Sequence, residues 1–193
     1  IDQVDWPYCC VGKLRGKLHV KYHYGIATLV GPNIVVTSAQ NVFDLKGHKP
    51  LCDLKFVPAL YNDKYERYSS IVEVFFPKEF KTVDPNNDEE KSKNDYAVLL
   101  LEDNFGKSFG YLGMRTQFIE EVNGLEIGIF SYPQEQEGKQ IAKRLRNLLL
   151  KGSRLIYDSR DLTYGQNGSP LLLCSQNGFN IIGINTFCVN GCT

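Results

Sequence analysis

Apolar and polar positions alternate along this chain in short runs broken by turn residues. Runs rich in Val, Ile, Tyr, Phe and Leu lie at 17–24, 26–30, 33–38, 54–60, 69–76 and 96–101, and the same style returns at 125–132, 155–157, 171–174 and 180–187. Period-two runs of this length, punctuated by Gly, Pro, Asn and Asp, predict antiparallel strands closing into barrels rather than alternating strand and helix. Asn177-Gly178 predicts a hairpin turn between the last two strands. The stretch 104–113, with three glycines and no long apolar run, predicts a connection between two units. The chain thus divides into 1–104, the connection 105–113, and 114–193.

One segment reads two ways. In 138–150, Ile141, Leu145, Leu148 and Leu149 fall at helical spacing on a basic background. Taken alone this is an amphipathic helix fit to meet a membrane surface or an acidic partner. The acidic stretch 84–90 lacks the oxygen-ligand spacing of a calcium loop and reads as solvated.

Bulk properties narrow the function. With 193 residues, 42% of them hydrophobic, the chain can bury a real core. Lys plus Arg and Asp plus Glu are equal at 22 each, so no global field favours nucleic acid or an anionic membrane, and neither is expected as a partner. No run approaches the roughly 18 apolar residues of a membrane span. Residue 1 is Ile, which predicts a mature chain freed from a leader, and the six cysteines (Cys9, Cys10, Cys52, Cys174, Cys188 and Cys192) predict disulfides in a secreted or vesicular compartment. Their pairing stays open. A zinc site is the weaker use of them, because no second close Cys pair with a histidine accompanies Cys188 and Cys192. No metal or cofactor is expected.

The candidate chemistry lies in three segments. Gly165-Gln-Asn-Gly-Ser-Pro170 is a glycine-rich corner leading into the apolar run Leu171 to Leu173, a geometry that turns backbone N–H groups outward as in an oxyanion hole. Residues 25–40 form strand, Gly-Pro-Asn turn and strand, ending Thr37-Ser38-Ala39-Gln40. Asp95 stands at the mouth of the apolar run 96–101.

Together these segments, within a span of about 8–188, resemble the trypsin-like serine peptidases, and specifically the glutamyl endopeptidase branch, whose nucleophile loop reads Gly-Asn-Ser-Gly-Ser-Pro. The resemblance implies an all-β fold of two antiparallel six-stranded Greek-key barrels, and it makes 138–150 a strand. It places Gln40 at the general-base histidine, Asp95 at the aspartate and Asn167 at the nucleophilic serine. Gly165 and Asn167 would supply the oxyanion donors, and Ile182, Gly183, Ile184 and Asn185 the strand that pairs with a bound peptide. Asn185 replaces the histidine that reads glutamate in that branch. Gln166 replaces the aspartate that pairs with a freed amino terminus in trypsin-like enzymes.

A carboxamide neither takes a proton from a hydroxyl nor returns it near neutral pH, and losing either group of such a triad costs about 10⁶ in turnover. The resemblance therefore implies a pseudoprotease: a scaffold, assembly component or regulator of an active relative that binds a protein or peptide. A second reading keeps a serine endopeptidase in which Gln40 and Asn167 are inactivating replacements. Rescue by Ser169 with His48 is disfavoured, since Ser169 lies two residues past the nucleophile position and His48 in a polar loop. A polar chain Asp95–Gln40–Asn167 is expected to fill the old cleft.

Overall fold

The computed structural model describes residues 5–58, 67–116, 127–132, 141–145, 149–151, 154–156, 165–175 and 178–186. Six strands, β1 (Val11–Leu18), β2 (Lys21–Leu29), β3 (Ile34–Thr37), β6 (Cys52–Pro58), β7 (Ser69–Phe75) and β8 (Ala97–Leu101), close into an antiparallel barrel in the order β1-β2-β3-β8-β7-β6. A small ribbon, β4 (Phe43–Asp44) with β5 (Lys49–Pro50), stands beside it. In the second half, β11 (Ile141–Arg144), β10 (Ile127–Ser131), β14 (Pro170–Ser175), β15 (Gly178–Ile184) and β9 (Gly113–Met114) form a five-stranded sheet in that order, and β12 (Leu149–Lys151) pairs with β13 (Arg154–Ile156). The fold is all-β, with only two short α-helices among the described residues, α1 (Asp88–Asn94) and α2 (Phe105–Phe109).

Alternation builds the first barrel. Leu14 of β1 points inward against Phe56 of β6, its register partner, and both are buried. Gly12 faces the same ring: a Cβ there would lie 2.7 Å from Phe56 Cε2, so glycine makes the room that the aromatic fills. The core runs on into the second half, where Phe130, Tyr132, Leu172 and Ile181 join the barrel residues in one cluster, and the Tyr132 hydroxyl donates to the Val11 carbonyl at 2.9 Å.

The structure departs from the strand pattern in three places. The run 17–24 is not one strand but the tip of the β1–β2 hairpin, where Leu18 pairs with Lys21 across His19 and Val20. His19 takes φ +54°, a left-handed turn conformation without the glycine or asparagine that would have signalled it. The connection 104–113 contains α2, whose Gly106 sits against the Gly31 carbonyl with no room for a side chain. One pair in the second sheet is parallel, β15 with β9 (Asn180 with Gly113, Ile181 with Met114), where an all-antiparallel unit was expected.

Within the ambiguous segment, the described residues are sheet at 141–144 and 149–150. Ile141–Arg144 pairs with β10, from Ser131–Ile141 to Gly128–Arg144, and Leu149–Lys151 pairs with β13. Just past β11, Leu145 is buried and its N–H donates to the Ile127 carbonyl at 2.9 Å, so the pairing continues where the spacing predicted a helix. The acidic stretch enters α1, whose cap is the Asn87 side chain accepting from Glu90 N at 3.1 Å.

Candidate functional site

Two neighbouring strand ends bring Gln40 and Asp95 together. β3 and β8 pair antiparallel, Thr37 opposite Ala97, so the short turn that follows β3 and the residues that precede β8 meet at one edge of the barrel. Asp95 is 1% exposed. Its Oδ1 accepts from Ser38 Oγ at 2.7 Å and from the Gln40 backbone N–H at 2.9 Å, and its Oδ2 accepts from Gln40 Nε2 at 2.7 Å. Burial pushes the Asp95 carboxyl above the ordinary carboxylate range, and the donors from Ser38 and Gln40 oppose that rise without cancelling it.

Gln40 holds the aspartate as a base histidine would, through one N–H, but spends its second amide proton on the Thr186 carbonyl. The amide nitrogen has no lone pair for a proton, and only Oε1 remains unengaged among the described residues. The expected chain to Asn167 is half made: no hydrogen bond joins the Gln40 and Asn167 side chains.

The loop 165–169 is held by its backbone. The Asn167 carbonyl accepts from Ile26 N–H and from Asn41 Nδ2, both at 2.9 Å, and Asn41 Nδ2 also donates to Thr37 Oγ1 at 2.9 Å. Gly168 donates to the Asn185 carbonyl at 2.7 Å and sits at φ +88°, with the Ile26 carbonyl where a Cβ would go. The N–H groups of Gly165 and Asn167 donate to no described residue, and the Asn167 carboxamide makes no hydrogen bond there either. Among the described residues, two backbone donors and one side-chain amide of this loop are thus open.

Gln166 and Asn185 brace this loop from behind. Gln166 Nε2 donates to Ser131 Oγ at 2.8 Å, while its carbonyl accepts from Ser169 N–H at 3.1 Å and from Asn185 Nδ2 at 2.9 Å. Asn185 N–H donates to the Ser169 carbonyl at 2.8 Å. Asn185 is 4% exposed, with its side chain turned onto the loop. Beside it, Ile184 and Gly183 pair with Pro170 and Leu171 on one side, while β9 covers only Asn180 and Ile181 on the other. Among the described residues the edge from Ile182 to Ile184 is open to a further strand.

Ser169 is wholly buried, its Oγ has no hydrogen-bond partner among the described residues, and His48 is exposed in the β4–β5 turn, so the two form no catalytic pair. Next to Gln40, a hollow of about 210 Å³ opens between His23, Phe43, Leu45, Leu51 and Phe80. Ser38, Asn41 and Thr186 were missed in the sequence; only the adjacency of Ser38 and Asn41 to Gln40 hinted at them, and nothing in the sequence marks a carbonyl acceptor.

No disulfide is present among the described residues. Cys9 and Cys10 are adjacent buried thiols whose Sγ atoms approach the Phe109 carbonyl at 3.1 and 3.7 Å, and Cys52 is exposed. Cys188 and Cys192 lie outside the described residues. No group of three or more His, Cys, Asp and Glu side chains suited to a metal ion occurs among the described residues, and no described helix is long and apolar enough to cross a membrane.

No protein-family model matches the chain, and no curated protein sequence matches it. Solved structures do. A Glu endopeptidase solved in complex with MPD superposes with a TM-score of 0.76 at 21% identity, covering 98% of this chain and 84% of that one. The protease Anisep from Arthrobacter nicotinovorans gives 0.70 at 14% identity, covering 96% and 86%, and the thermostable serine protease AL20 from an extremophilic microorganism gives 0.74 at 16%, covering 95% and 87%. At these identities the likeness is one of fold: the chain has the fold of the trypsin-like serine peptidases.

Proposed function

We propose that this is a pseudoprotease that works by binding a protein or peptide in the old substrate cleft, as a scaffold, assembly component or regulator of an active relative, in a secreted or vesicular compartment. The observation that carries the reading is the bonding of Gln40. Both of its amide protons are committed, to Asp95 and to Thr186, and neither a carboxamide there nor one at residue 167 can relay a proton or attack a carbonyl.

What is left suits holding rather than cutting. The open N–H groups of Gly165 and Asn167 can receive a peptide carbonyl, and the Ile182–Ile184 edge can pair with an extended backbone by strand addition. Asn185, turned inward, reads no ligand side chain, so selectivity for glutamate is not expected.

The test compares the natural chain with a Gln40→His, Asn167→Ser double variant against a mixed peptide library and a serine-directed phosphonate. Cleavage and labelling by the double variant alone support a retained cleft that lost its chemistry. Cleavage by the natural chain overturns the reading. The open oxyanion donors also favour the second reading, a serine endopeptidase inactivated at residues 40 and 167. That version requires the double variant to reach the turnover of an ordinary peptidase, whereas a long-decayed cleft restores only a trace.

A further inference from the structure

The outer face of the first barrel carries a second pattern. Strands β2, β1 and β6 lie side by side and hold five basic residues, Lys13, Arg15, Lys17, Lys21 and Lys55, against a single acid, Asp53. Register places Arg15 opposite Tyr24 and Lys17 opposite Tyr22 on β2, and Arg15 opposite Lys55 on β6. Cross-strand partners share a face, so cations and tyrosines interleave on one side of the sheet.

The rings are outward. Tyr22, Tyr24 and Tyr68 are 49%, 59% and 47% exposed. Arg15 lies 5.3 Å and Lys17 5.7 Å from the Tyr22 ring centre, and Lys55 lies 4.5 Å from that of Tyr68. The Tyr22 and Tyr24 rings are 6.4 Å apart at 37°. Lys55 has Asp53 at 3.4 Å, but no carboxylate pairs with Arg15 or Lys17 among the described residues, and Arg15 Nε is buried with no hydrogen-bond partner. Among the described residues, two cations on this face therefore have no carboxylate partner.

We infer that this face, the outer surface of β2, β1 and β6 with Tyr22, Tyr24 and Tyr68, binds single-stranded nucleic acid. Phosphates meet Arg15, Lys17 and Lys55, and unstacked bases lie on the tyrosine rings, the combination by which sheets hold single strands. From β2 to β7 the sheet steps across about 14 Å at ordinary strand spacing, enough for more than one nucleotide. Tyr24, the most exposed ring of the three and the one with no cation over it, is the principal platform. A purely polyanionic ligand would use the cations but leave Tyr24 idle, and a duplex hides its base faces.

The test is fluorescence anisotropy of the full chain with labelled short oligothymidylate and oligouridylate over a salt series, with unlabelled heparin and duplex as competitors. Expected are binding that weakens with salt, a loss of about tenfold in affinity for Tyr24→Ala, and a salt slope lowered by about 0.7 for each of Arg15→Gln and Lys17→Gln. Thermal melts confirm that the variants are folded. Ultraviolet crosslinking of the natural chain, mapped by mass spectrometry to Tyr22 or Tyr24, reads the same contact without any variant. No binding at low salt overturns the proposal. Binding that heparin displaces fully and Tyr24→Ala leaves unchanged overturns it as well, and identifies a polyanion face instead.

Discussion

The two walls of the cleft differ in how their polar groups are spent. On the first-barrel wall Asp95 and Gln40 are closed: each carboxylate oxygen has a donor, and both Gln40 amide protons have acceptors. On the opposite wall the loop 165–168 is fixed by its backbone, the Asn167 carbonyl accepting and the Gly168 N–H donating, while the N–H groups of Gly165 and Asn167 face no acceptor among the described residues. A group that must move protons is of no use once it is fully bonded to its neighbours. A group that only receives a ligand oxygen stays usable as long as the backbone holds. On the proposed reading, two side-chain changes remove proton transfer, whereas peptide binding depends on the whole loop.

The largest expected effect breaks the closed wall. Asp95→Ala leaves the buried Ser38 hydroxyl and two donors of the half-buried Gln40 without their acceptor and should cost about 3–5 kcal/mol, read as a lower denaturant midpoint with the slope unchanged. Gly168→Ala attacks the open wall: at φ +88° and with the Ile26 carbonyl in the way, it should cost about 2–3 kcal/mol and abolish peptide binding in the cleft. Gln40→Ala, which removes two hydrogen bonds from a half-buried site, should cost about 1–2 kcal/mol, and Gln40→His, which keeps a donor to Asp95, less than that. Asn167→Ala touches no side-chain hydrogen bond among the described residues and should shift stability by about 0.5 kcal/mol or less. An Asn167→Ala cost as large as that of Gln40→Ala would show the two walls to be bonded alike.

The pH dependence sharpens the contrast further. The Asp95 carboxyl is raised in the folded protein above its ordinary value of 3.8, so the folded state holds that proton more tightly than the unfolded chain does. Its contribution is full below that ordinary value and is lost as pH rises through the folded one. Urea unfolding of the natural chain against Asp95→Asn should accordingly show a stability difference that moves against the natural chain as pH rises through this window. A difference moving the other way would mean that the donors from Ser38 and Gln40 outweigh burial.

The strands of the first barrel were legible because β3, β6, β7 and β8 each carry a period-two or continuous apolar run with turn residues at their ends. The β1–β2 hairpin was not, because His19 supplies the turn by adopting a left-handed conformation that its residue type does not announce. The motif positions Gln40, Asp95 and Asn167 were legible from their neighbours in sequence. Which of them touch was not: Gln40 turns to Thr186, 146 residues away, instead of to Asn167. The equal totals of acidic and basic residues were a sum over the whole chain, and they concealed the basic face, because register gathers Arg15, Lys17 and Lys55 on one side while acids such as Asp88, Glu89 and Glu90 lie on α1.

By itself, the sequence determined the β character, four of the six barrel strands and the carboxamides at residues 40 and 167, because periodicity and residue chemistry are local properties. Tertiary structure alone decided the burial of Asp95, the bracing of the loop by Gln166 and Asn185, the open donors at Gly165 and Asn167, and the gathering of tyrosines and cations on one barrel face. Each of these depends on which strand ends and cross-strand partners meet, and the closing of the sheet sets that.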